Sequence, residues 1–238
     1  MKVEIWSDVA CPWCYIGKRR FESALAGFAH RDQVEVTWRS FQLDPEAPRA
    51  SGRTVTEMLA DKYGVSLSQA AAMNDRVAGI AAQEGLDYHL DQSQYANTFD
   101  AHRMIHLAAT HGLQEAMEER FFKAYFVEGA ALDDHETLIG LAAEIGLDAG
   151  EARTVLDSDA YADAVRADFR RARGFGISGV PFFAIDEKYG VSGAQPSAMF
   201  DAALEQAWAD SHPLIQMGAA ESDGDMCEGD SCAVPTDH

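Results

Sequence analysis

The amino-acid sequence predicts an α/β fold in which a small sheet-forming unit is interrupted by a large all-helical insertion. Two short strand patterns with a helix between them open the chain, at residues 2–6 and 34–43. Residues 54–173 then follow a helical pattern, and two more short strands and a final helix come after them. The element order is therefore β-α-β, a helical block, then β-β-α, so we expect the helical block to be inserted into one α/β domain.

Composition and charge limit the class of partner. The 238 residues are 47% apolar and 24% charged, which is typical of a globular protein with a buried core. The net charge is −20, from 39 acidic and 19 basic residues, and a surface that acidic repels phosphate backbones and anionic lipid headgroups. No apolar run approaches the roughly 18 residues that a membrane-spanning helix needs. We therefore expect neither nucleic acid nor a membrane as a partner.

The first strand leads into a pair of cysteines. Alternating residues over 2–6 predict the strand, and a short turn follows it. Cys11-Pro12-Trp13-Cys14 then opens a helix. Proline suits the first helical position because the N–H that it lacks would have no partner there.

The second strand and the helical insertion come next. Val34, Val36 and Trp38 alternate through a strand that is expected to run toward residues 41–43. Capping boxes at Thr54-x-x-Glu57 and Ser66-x-x-Gln69 predict two helix starts. Further helices are expected at 68–84, 99–111, 113–127, 134–146 and 151–173.

The chain returns to strands after the insertion. Residues 180–185 predict a short apolar strand, 189–192 a second one, and 196–209 a final helix. From about residue 210 the chain holds seven acidic residues and no Lys or Arg, which predicts an acidic tail. The predicted boundaries are 1–50 and 174–209 for the two parts of the sheet-containing domain, 51–173 for the insertion and 210–238 for the tail.

The spacing of Cys11 and Cys14 indicates redox chemistry. A thiol attacks a disulfide only as the thiolate, and a helix N-terminus favours an anion through its unpaired N–H groups and its dipole. Cys11 stands at that place if the helix begins at Pro12. Cys14, three residues on, shares its helical face and can resolve a mixed disulfide. A zinc half-site is the chemical alternative, since C-x-x-C is also metal-ligand spacing.

A second motif, Gly179-Val180-Pro181-Phe182, stands at the start of the predicted third strand. Proline is tolerated at the first residue of a strand because no N–H is needed there. A cis bond between Val180 and Pro181 would make a sharp turn and leave nearby backbone groups free to pair with an extended substrate. Val180 and Pro181 are therefore candidates for positioning a substrate chain.

These motifs together resemble one known family. Residues 11–18 (Cys-Pro-Trp-Cys-Tyr-Ile-Gly-Lys) and 176–183 (Gly-Ile-Ser-Gly-Val-Pro-Phe-Phe) resemble the DsbA family of thioredoxin-fold oxidoreductases. Residues 40–45 and 97–103 resemble its FrnE-like branch, which is related to the 2-hydroxychromene-2-carboxylate isomerases. The resemblance covers about residues 1–209. It implies a thioredoxin-like fold with a large all-helical insertion, and thiol–disulfide exchange as the activity.

The resemblance also implies a role for each matching residue. Cys11 is expected to be the nucleophile, Cys14 the resolving thiol and Pro181 a cis-proline that faces them. Pro12 and Trp13 form the dipeptide that is expected to tune the reduction potential.

Asp8 and a pair of histidines are further candidates. Asp8, three residues before Cys11, could accept a proton from the active thiols or cap the helix. His102 and His106 are four residues apart on a predicted helix and could share a metal ion. A third ligand is not evident, so a groove or surface role is favoured and no metal site is expected.

Together these features predict a cytoplasmic thiol–disulfide oxidoreductase, either a disulfide reductase or an isomerase. The N-terminus has no charged segment followed by an apolar run, so no secretory signal is expected. The expected substrate is a disulfide-containing protein or a small-molecule disulfide. No tightly bound cofactor is expected, and a thioredoxin or glutathione system would supply the reducing thiol.

The alternative is a glutathione-dependent isomerase or transferase for a small aromatic or polyketide-like substrate. Related enzymes of that kind usually carry serine at the active position.

Cys227 and Cys232 form a second close pair on the acidic tail. One hypothesis is an auxiliary dithiol that exchanges with the Cys11–Cys14 disulfide. A locally closed disulfide, an idle reduced pair and a metal site remain as alternatives.

Overall fold

The structure, a computed structural model, describes residues 1–213, and four strands in this range form one mixed sheet. The strands are β1 (Lys2–Ser7), β2 (Glu35–Ser40), β3 (Phe182–Ile185) and β4 (Tyr189–Ser192), in the order β2-β1-β3-β4. β1 pairs in parallel with β2, and antiparallel pairs join β1 to β3 and β3 to β4. A parallel pair needs a crossover, which α1 (Pro12–Gly27) supplies. The predicted fold class is confirmed.

Seven helices lie between β2 and β3. They are α2 (Val55–Tyr63), α3 (Leu67–Gln83), α4 (Phe99–Thr110), α5 (Gln114–Phe126), α6 (His135–Glu144), α7 (Ala149–Leu156) and α8 (Ala162–Gly174). A short 3₁₀ turn, Arg31–Gln33, precedes β2, and α9 (Ser197–Ser211) follows β4. Both predicted capping boxes are present, because Thr54 caps α2 and Ser66 caps α3. Within the described range, no helix has the length and apolar character needed to cross a membrane.

Helices cover both faces of the sheet. On one face α1 and α9 pack together, and the Phe183 ring lies 5.4 Å from that of Phe21 and 4.6 Å from that of Phe200. On the other face Trp6 donates its indole N–H to the Asp168 carbonyl in α8 at 3.2 Å. β1 is therefore the buried central strand, and its C-terminal end delivers the chain into the first turn of α1. The predicted boundary at residue 173 falls in α8, a helix that packs on the sheet.

The predicted helix over 151–173 is divided into α7 and α8. Tyr161, between them, has φ of +62°, a left-handed conformation that interrupts a helix. The buried guanidinium of Arg103 donates to the carbonyls of Val155, Ser158 and Ala160, with a distance of 2.8 Å to the last. These carbonyls at the break are satisfied by a side chain from α4, so the helix need not continue. The single-helix prediction was wrong because this long-range contact has no local signal.

The observed ends of β2 and of the last helix also differ from the predicted ones. β2 ends at Ser40 rather than running toward residue 43, because the Leu43 N–H bonds to Asp8 instead of a neighbouring strand. The last helix extends to Ser211, two residues past its predicted end at residue 209. Asp210 in its last turn accepts hydrogen bonds from Lys188 and Tyr189 of the β3–β4 hairpin, so it belongs to the folded unit.

Aromatic side chains join the insertion to α1. The Tyr15 ring of α1 stacks on Phe122 of α5 at 4.9 Å, and Tyr88 stacks on Phe126 at 4.8 Å. An ion pair adds to this contact, because the Lys18 ammonium lies 2.5 Å from the Glu115 carboxylate. The start of α1 is therefore enclosed by the insertion on one side.

Candidate functional site

Cys11 occupies the N-cap of α1, directly after the β1 turn. Its φ and ψ of −92° and 111° are extended, and Pro12 is the first helical residue. The Cys11 N–H donates to the Asp8 carbonyl at 2.9 Å, and Cys11 in turn accepts from the Cys14 N–H at 3.0 Å. Among the described residues no side chain caps this helix end. The first-turn amides and the helix dipole are thus available to a negative charge at Cys11.

Cys14 lies in the first turn of α1, behind Cys11. Both residues are free thiols, and their exposed fractions are 1% for Cys14 and 3% for Cys11. Burial raises the pKa of the Cys14 thiol well above its ordinary value, and the neighbouring Cys11 raises it further. The Asp8 backbone and the Ser7 hydroxyl act in the opposite direction. Cys14 is therefore held protonated until a base removes its proton.

The loop before β3 faces Cys11. The Val180–Pro181 peptide bond is cis, and the Cys11 thiol donates to the Val180 carbonyl at 3.6 Å. Pro181 also anchors the far side of the loop, because its carbonyl accepts from the Gly193 N–H at 2.8 Å. The structure therefore brings the two predicted motifs, more than 160 residues apart in sequence, into direct contact.

Asp8 holds the turn that carries the cysteines. Its carboxylate accepts from the Leu43 N–H at 2.8 Å and more weakly from the Ala10 N–H at 3.4 Å. It does not cap α1 with its side chain, so the helix-cap alternative was wrong: its oxygens face the chain after β2 instead. The role of proton acceptor stays a prediction.

The two histidines of α4 face different carboxylates. His102 is buried, with its Nε2 atom 3.5 Å from Asp8, whereas His106 lies 3.0 Å from Asp168 and 3.3 Å from the Ser40 hydroxyl. They share no ligand, and residues 1–213 contain no cluster of side chains suited to a metal ion.

A cleft of about 310 Å³ opens beside Cys11, between α1 and the helices α2 and α3. Its rim carries three exposed apolar side chains, Trp13, Leu43 and Tyr63, with exposed fractions of 38%, 50% and 56%. Its wall is mainly apolar and includes Met58, Leu59, Met73, Val77, Leu90 and Phe126. The arrangement can hold an apolar group next to the Cys11 sulfur.

Three residues of the site were missed by the sequence reasoning. Tyr88 donates its hydroxyl to the Pro12 carbonyl at 2.8 Å, and Gly17 lets α1 approach Pro181. Glu118 of α5 is the third, with an exposed fraction of 1%. Glu118 could have been found, because it is a charged residue inside the apolar stripe of α5 that contains Met117 and Phe121.

Cys227 and Cys232 lie outside the described residues, so the auxiliary dithiol stays a prediction.

Comparisons with solved structures show chains of similar fold. A crystal structure of a probable DsbA oxidoreductase from Streptomyces coelicolor has 49% sequence identity and a TM-score of 0.86, over 99% of this chain and 100% of that one. A 2-hydroxychromene-2-carboxylate isomerase has 17% identity and a TM-score of 0.65, over 89% and 98%. The cytosolic disulfide reductase DsbM from Pseudomonas aeruginosa, solved with GSH, has 19% identity and a TM-score of 0.61, over 87% and 99%. The last two likenesses show a shared fold.

The family model is the final comparison. The model described as a DSBA-like thioredoxin domain matches residues 2–205, which run from β1 into α9. The predicted resemblance and the thioredoxin-like fold are both confirmed. Since the match includes both cysteines, the proline loop and the whole helical insertion, the chain belongs to the family of DSBA-like thioredoxin domain proteins.

Proposed function

We propose that the protein is a thiol–disulfide oxidoreductase, a disulfide reductase or isomerase, with Cys11 as nucleophile and Cys14 as resolving thiol. The observation that carries this proposal is the placement of two free thiols at the N-cap and first turn of α1, with the Val180 carbonyl 3.6 Å from Cys11. Val180 and Pro181 would position the substrate chain, and Pro12 and Trp13 would tune the reduction potential.

The reaction proceeds by two sulfur exchanges. The Cys11 thiolate attacks one sulfur of the substrate disulfide, so a mixed disulfide forms and the other substrate sulfur leaves as a thiolate. The Cys14 thiolate then attacks the Cys11 sulfur, forms the Cys11–Cys14 bond and releases the second substrate sulfur. Two electrons pass from the dithiol to the substrate. In isomerisation a thiol of the substrate releases Cys11 instead.

A donor must return the oxidised pair to the dithiol. The proposal places the protein in the cytoplasm and assigns this step to a thioredoxin- or glutathione-type reductant. The cycle needs no tightly bound cofactor, because the electrons pass through sulfur atoms alone. The helical insertion, assigned to residues 51–173, would supply the wall of the substrate cleft.

The cleft supports a substrate with apolar groups close to its disulfide. Its wall and rim are mainly apolar, although Lys62 also lines the cleft. Two of its hydroxyl groups are already bonded, because Tyr95 donates to Asp44 at 2.5 Å and Tyr125 to the Gln94 carbonyl at 2.8 Å. Either a protein disulfide or a small-molecule disulfide could present such a group.

The apolar cleft also supports a second function, a glutathione-dependent isomerase or transferase for a small aromatic substrate. That chemistry needs one sulfur nucleophile and no resolving thiol. It therefore predicts full activity in Cys14→Ser, whereas the oxidoreductase proposal does not.

The test is reduction of insulin disulfides, followed by turbidity with a small dithiol as donor. We expect Cys11→Ser to abolish catalysis, and Cys14→Ser to retain a stoichiometric mixed disulfide while losing most of the turnover. Equal turnover in all three proteins would contradict the proposal. Stoichiometric zinc together with no reductase activity would favour a metal-binding module instead.

A further inference from the structure

Tyr88 connects the helical insertion to the peptide unit between Pro12 and Trp13. It lies in the segment between α3 and α4, and its hydroxyl donates to the Pro12 carbonyl at 2.8 Å. A carbonyl oxygen has two lone pairs, and in a regular α-helix it accepts from the N–H four residues later. The Tyr88 hydroxyl is therefore an additional donor to this oxygen, and it comes from outside the helix.

The Tyr88 side chain is held in place by its neighbours. It is buried, and its ring stacks on Phe126 at 4.8 Å and on Tyr15 at 6.1 Å. The backbone is fixed as well, because the next residue, His89, donates its N–H to the Phe126 carbonyl at 2.7 Å. Burial raises the pKa of the Tyr88 hydroxyl, and negative charge on Cys11 raises it further. The hydroxyl therefore keeps its proton and remains a donor at neutral pH.

The N–H of the same peptide unit is placed for the Cys11 sulfur. A side chain at an N-cap accepts from the N–H of the second or third helical residue, which here are Trp13 and Cys14. The Cys14 N–H already donates to the Cys11 carbonyl at 3.0 Å. The Trp13 N–H has no acceptor inside the helix, so it is the amide left for the sulfur.

Ionisation of Cys11 creates the need for this donor. The Cys11 thiol donates to the Val180 carbonyl at 3.6 Å. A thiolate has no proton to donate, and the carbonyl oxygen repels its charge. The sulfur anion is therefore stabilised by an N–H donor, and the end of α1 offers that of Trp13.

We propose that Tyr88 tunes the reduction potential of the Cys11–Cys14 pair through the peptide unit between Pro12 and Trp13. This inference rests on the proposed function, and it makes Tyr88 a positioning residue, since its hydroxyl acts on the sulfur through that peptide. A hydrogen bond donated to the carbonyl oxygen polarises the peptide, so its N–H becomes a stronger donor to the thiolate. The thiolate belongs to the reduced form of the pair. Tyr88 therefore favours the dithiol over the disulfide.

The size of the effect follows from the cooperativity of hydrogen bonds. One bond strengthens the next by about 10–30%, and for a bond to a charged group this fraction changes an equilibrium constant about two- to fourfold. Tyr88→Phe removes the hydroxyl and keeps the ring stacks. The Pro12 carbonyl keeps its acceptor role within the helix, so the variant should fold as the wild type does.

The test measures the thiol pair in the full chain. The dithiol–disulfide equilibrium is set at about pH 7 with glutathione or dithiothreitol, whichever brings the wild type close to its midpoint. The thiols are then alkylated, and the tryptic peptide that contains residues 11–14 is quantified by mass spectrometry, so that Cys227 and Cys232 do not contribute. We expect Tyr88→Phe to shift the equilibrium about two- to fourfold toward the disulfide.

The pH dependence of alkylation gives a second readout. Iodoacetamide reacts with the thiolate, so its rate at Cys11 between about pH 4 and about pH 9 follows the ionisation of the thiol. In Tyr88→Phe the profile should move to higher pH by a few tenths of a unit, with an unchanged rate at its plateau. A 3-fluorotyrosine in place of Tyr88 is a stronger donor and should move the profile the other way. A purely structural role would not produce two shifts of opposite sign.

Tyr125→Phe is the matched control. Tyr125 is also buried, and its hydroxyl donates at 2.8 Å to a backbone carbonyl, that of Gln94, outside the peptide that follows Pro12. The control should keep the wild-type equilibrium constant and alkylation profile. Wild-type values in Tyr88→Phe, or equal shifts in both variants, would overturn the inference. A wild-type protein that reduces no insulin would instead refute the proposed function, whereas the thiol measurements would still decide what Tyr88 does.

Discussion

Gly17 lies directly against Pro181. A Cβ atom built on Gly17 would sit 2.9 Å from Pro181 Cγ, closer than real Cβ contacts allow. Gly17 follows the second active cysteine by three residues, on the same side of α1. The missing side chain therefore sets how closely the cysteine helix approaches the loop that contacts Cys11.

The contact between Gly17 and Pro181 predicts a specific effect of Gly17→Ala. The added methyl group must push the proline loop away from α1, and overpacking of this kind costs about 1–3 kcal/mol. Because Val180 moves with Pro181, we expect lower disulfide reductase activity as well as lower stability. Urea unfolding and insulin reduction measure the two effects.

Gly79→Ala is the matched control for this prediction. Gly79 is an exposed helical glycine of α3 with open space around its Cα, so alanine there should raise stability by up to about 1 kcal/mol and leave activity unchanged. Equal behaviour of the two variants would show that the contact with Pro181 has no consequence.

The cleft predicts that substrate preference can be altered without altering the thiols. Met73 of α3 lines the cleft, and Met73→Gln keeps the side-chain length while placing an amide in an apolar wall. We expect the KM for a small aromatic disulfide to rise about tenfold, or about 1.4 kcal/mol, with little change in kcat. The KM for the hydrophilic disulfide cystine should change far less. Met199→Gln, at an exposed position of α9, is the control. A similar change for both substrates would argue against a binding role for the cleft.

The second cysteine pair predicts a defect that is confined to repeated turnover. If Cys227 and Cys232 exchange with the Cys11–Cys14 disulfide, Cys227→Ser should slow steady-state insulin reduction several-fold. Single-round reduction by Cys11 should stay at the wild-type rate, because that step uses only the first pair. Rapid-quench and steady-state assays on one preparation compare the two. An unchanged steady-state rate would remove the auxiliary pair from the cycle.

The elements that define the fold could be predicted from local pattern. The alternation of residues 2–6, the proline after Cys11 and the capping boxes at Thr54 and Ser66 all act over a few residues, and the structure contains each of them. The break between α7 and α8 could not be predicted, since it depends on Arg103, more than 50 residues away.

The same distinction applies to the candidate site. Cys11, Cys14 and Pro181 stand in motifs that can be read directly. Tyr88 and Glu118 reach the site from the insertion, and only the packing of the insertion on α1 reveals their positions. A charge inside an apolar helix stripe is the one local signal that could have drawn attention to Glu118.

The buried carboxyl of Glu118 also predicts how stability depends on pH. Burial raises its pKa to about 7 from an ordinary value of 4.5, so the folded protein binds more protons than the unfolded chain between these values. Stability therefore falls as pH rises from about 4.5 and levels off above about 7. At about 1.4 kcal/mol for each pKa unit, the full loss is about 3 kcal/mol. Glu118→Gln removes this dependence. In urea unfolding, the stability of the variant relative to the wild type should therefore increase from about pH 5 to about pH 8. Glu144, an exposed carboxylate that pairs with Arg120 of α5, is the matched control, and Glu144→Gln should track the wild type over the same range. A constant difference between Glu118→Gln and the wild type would mean that Glu118 is ionised in the folded protein throughout.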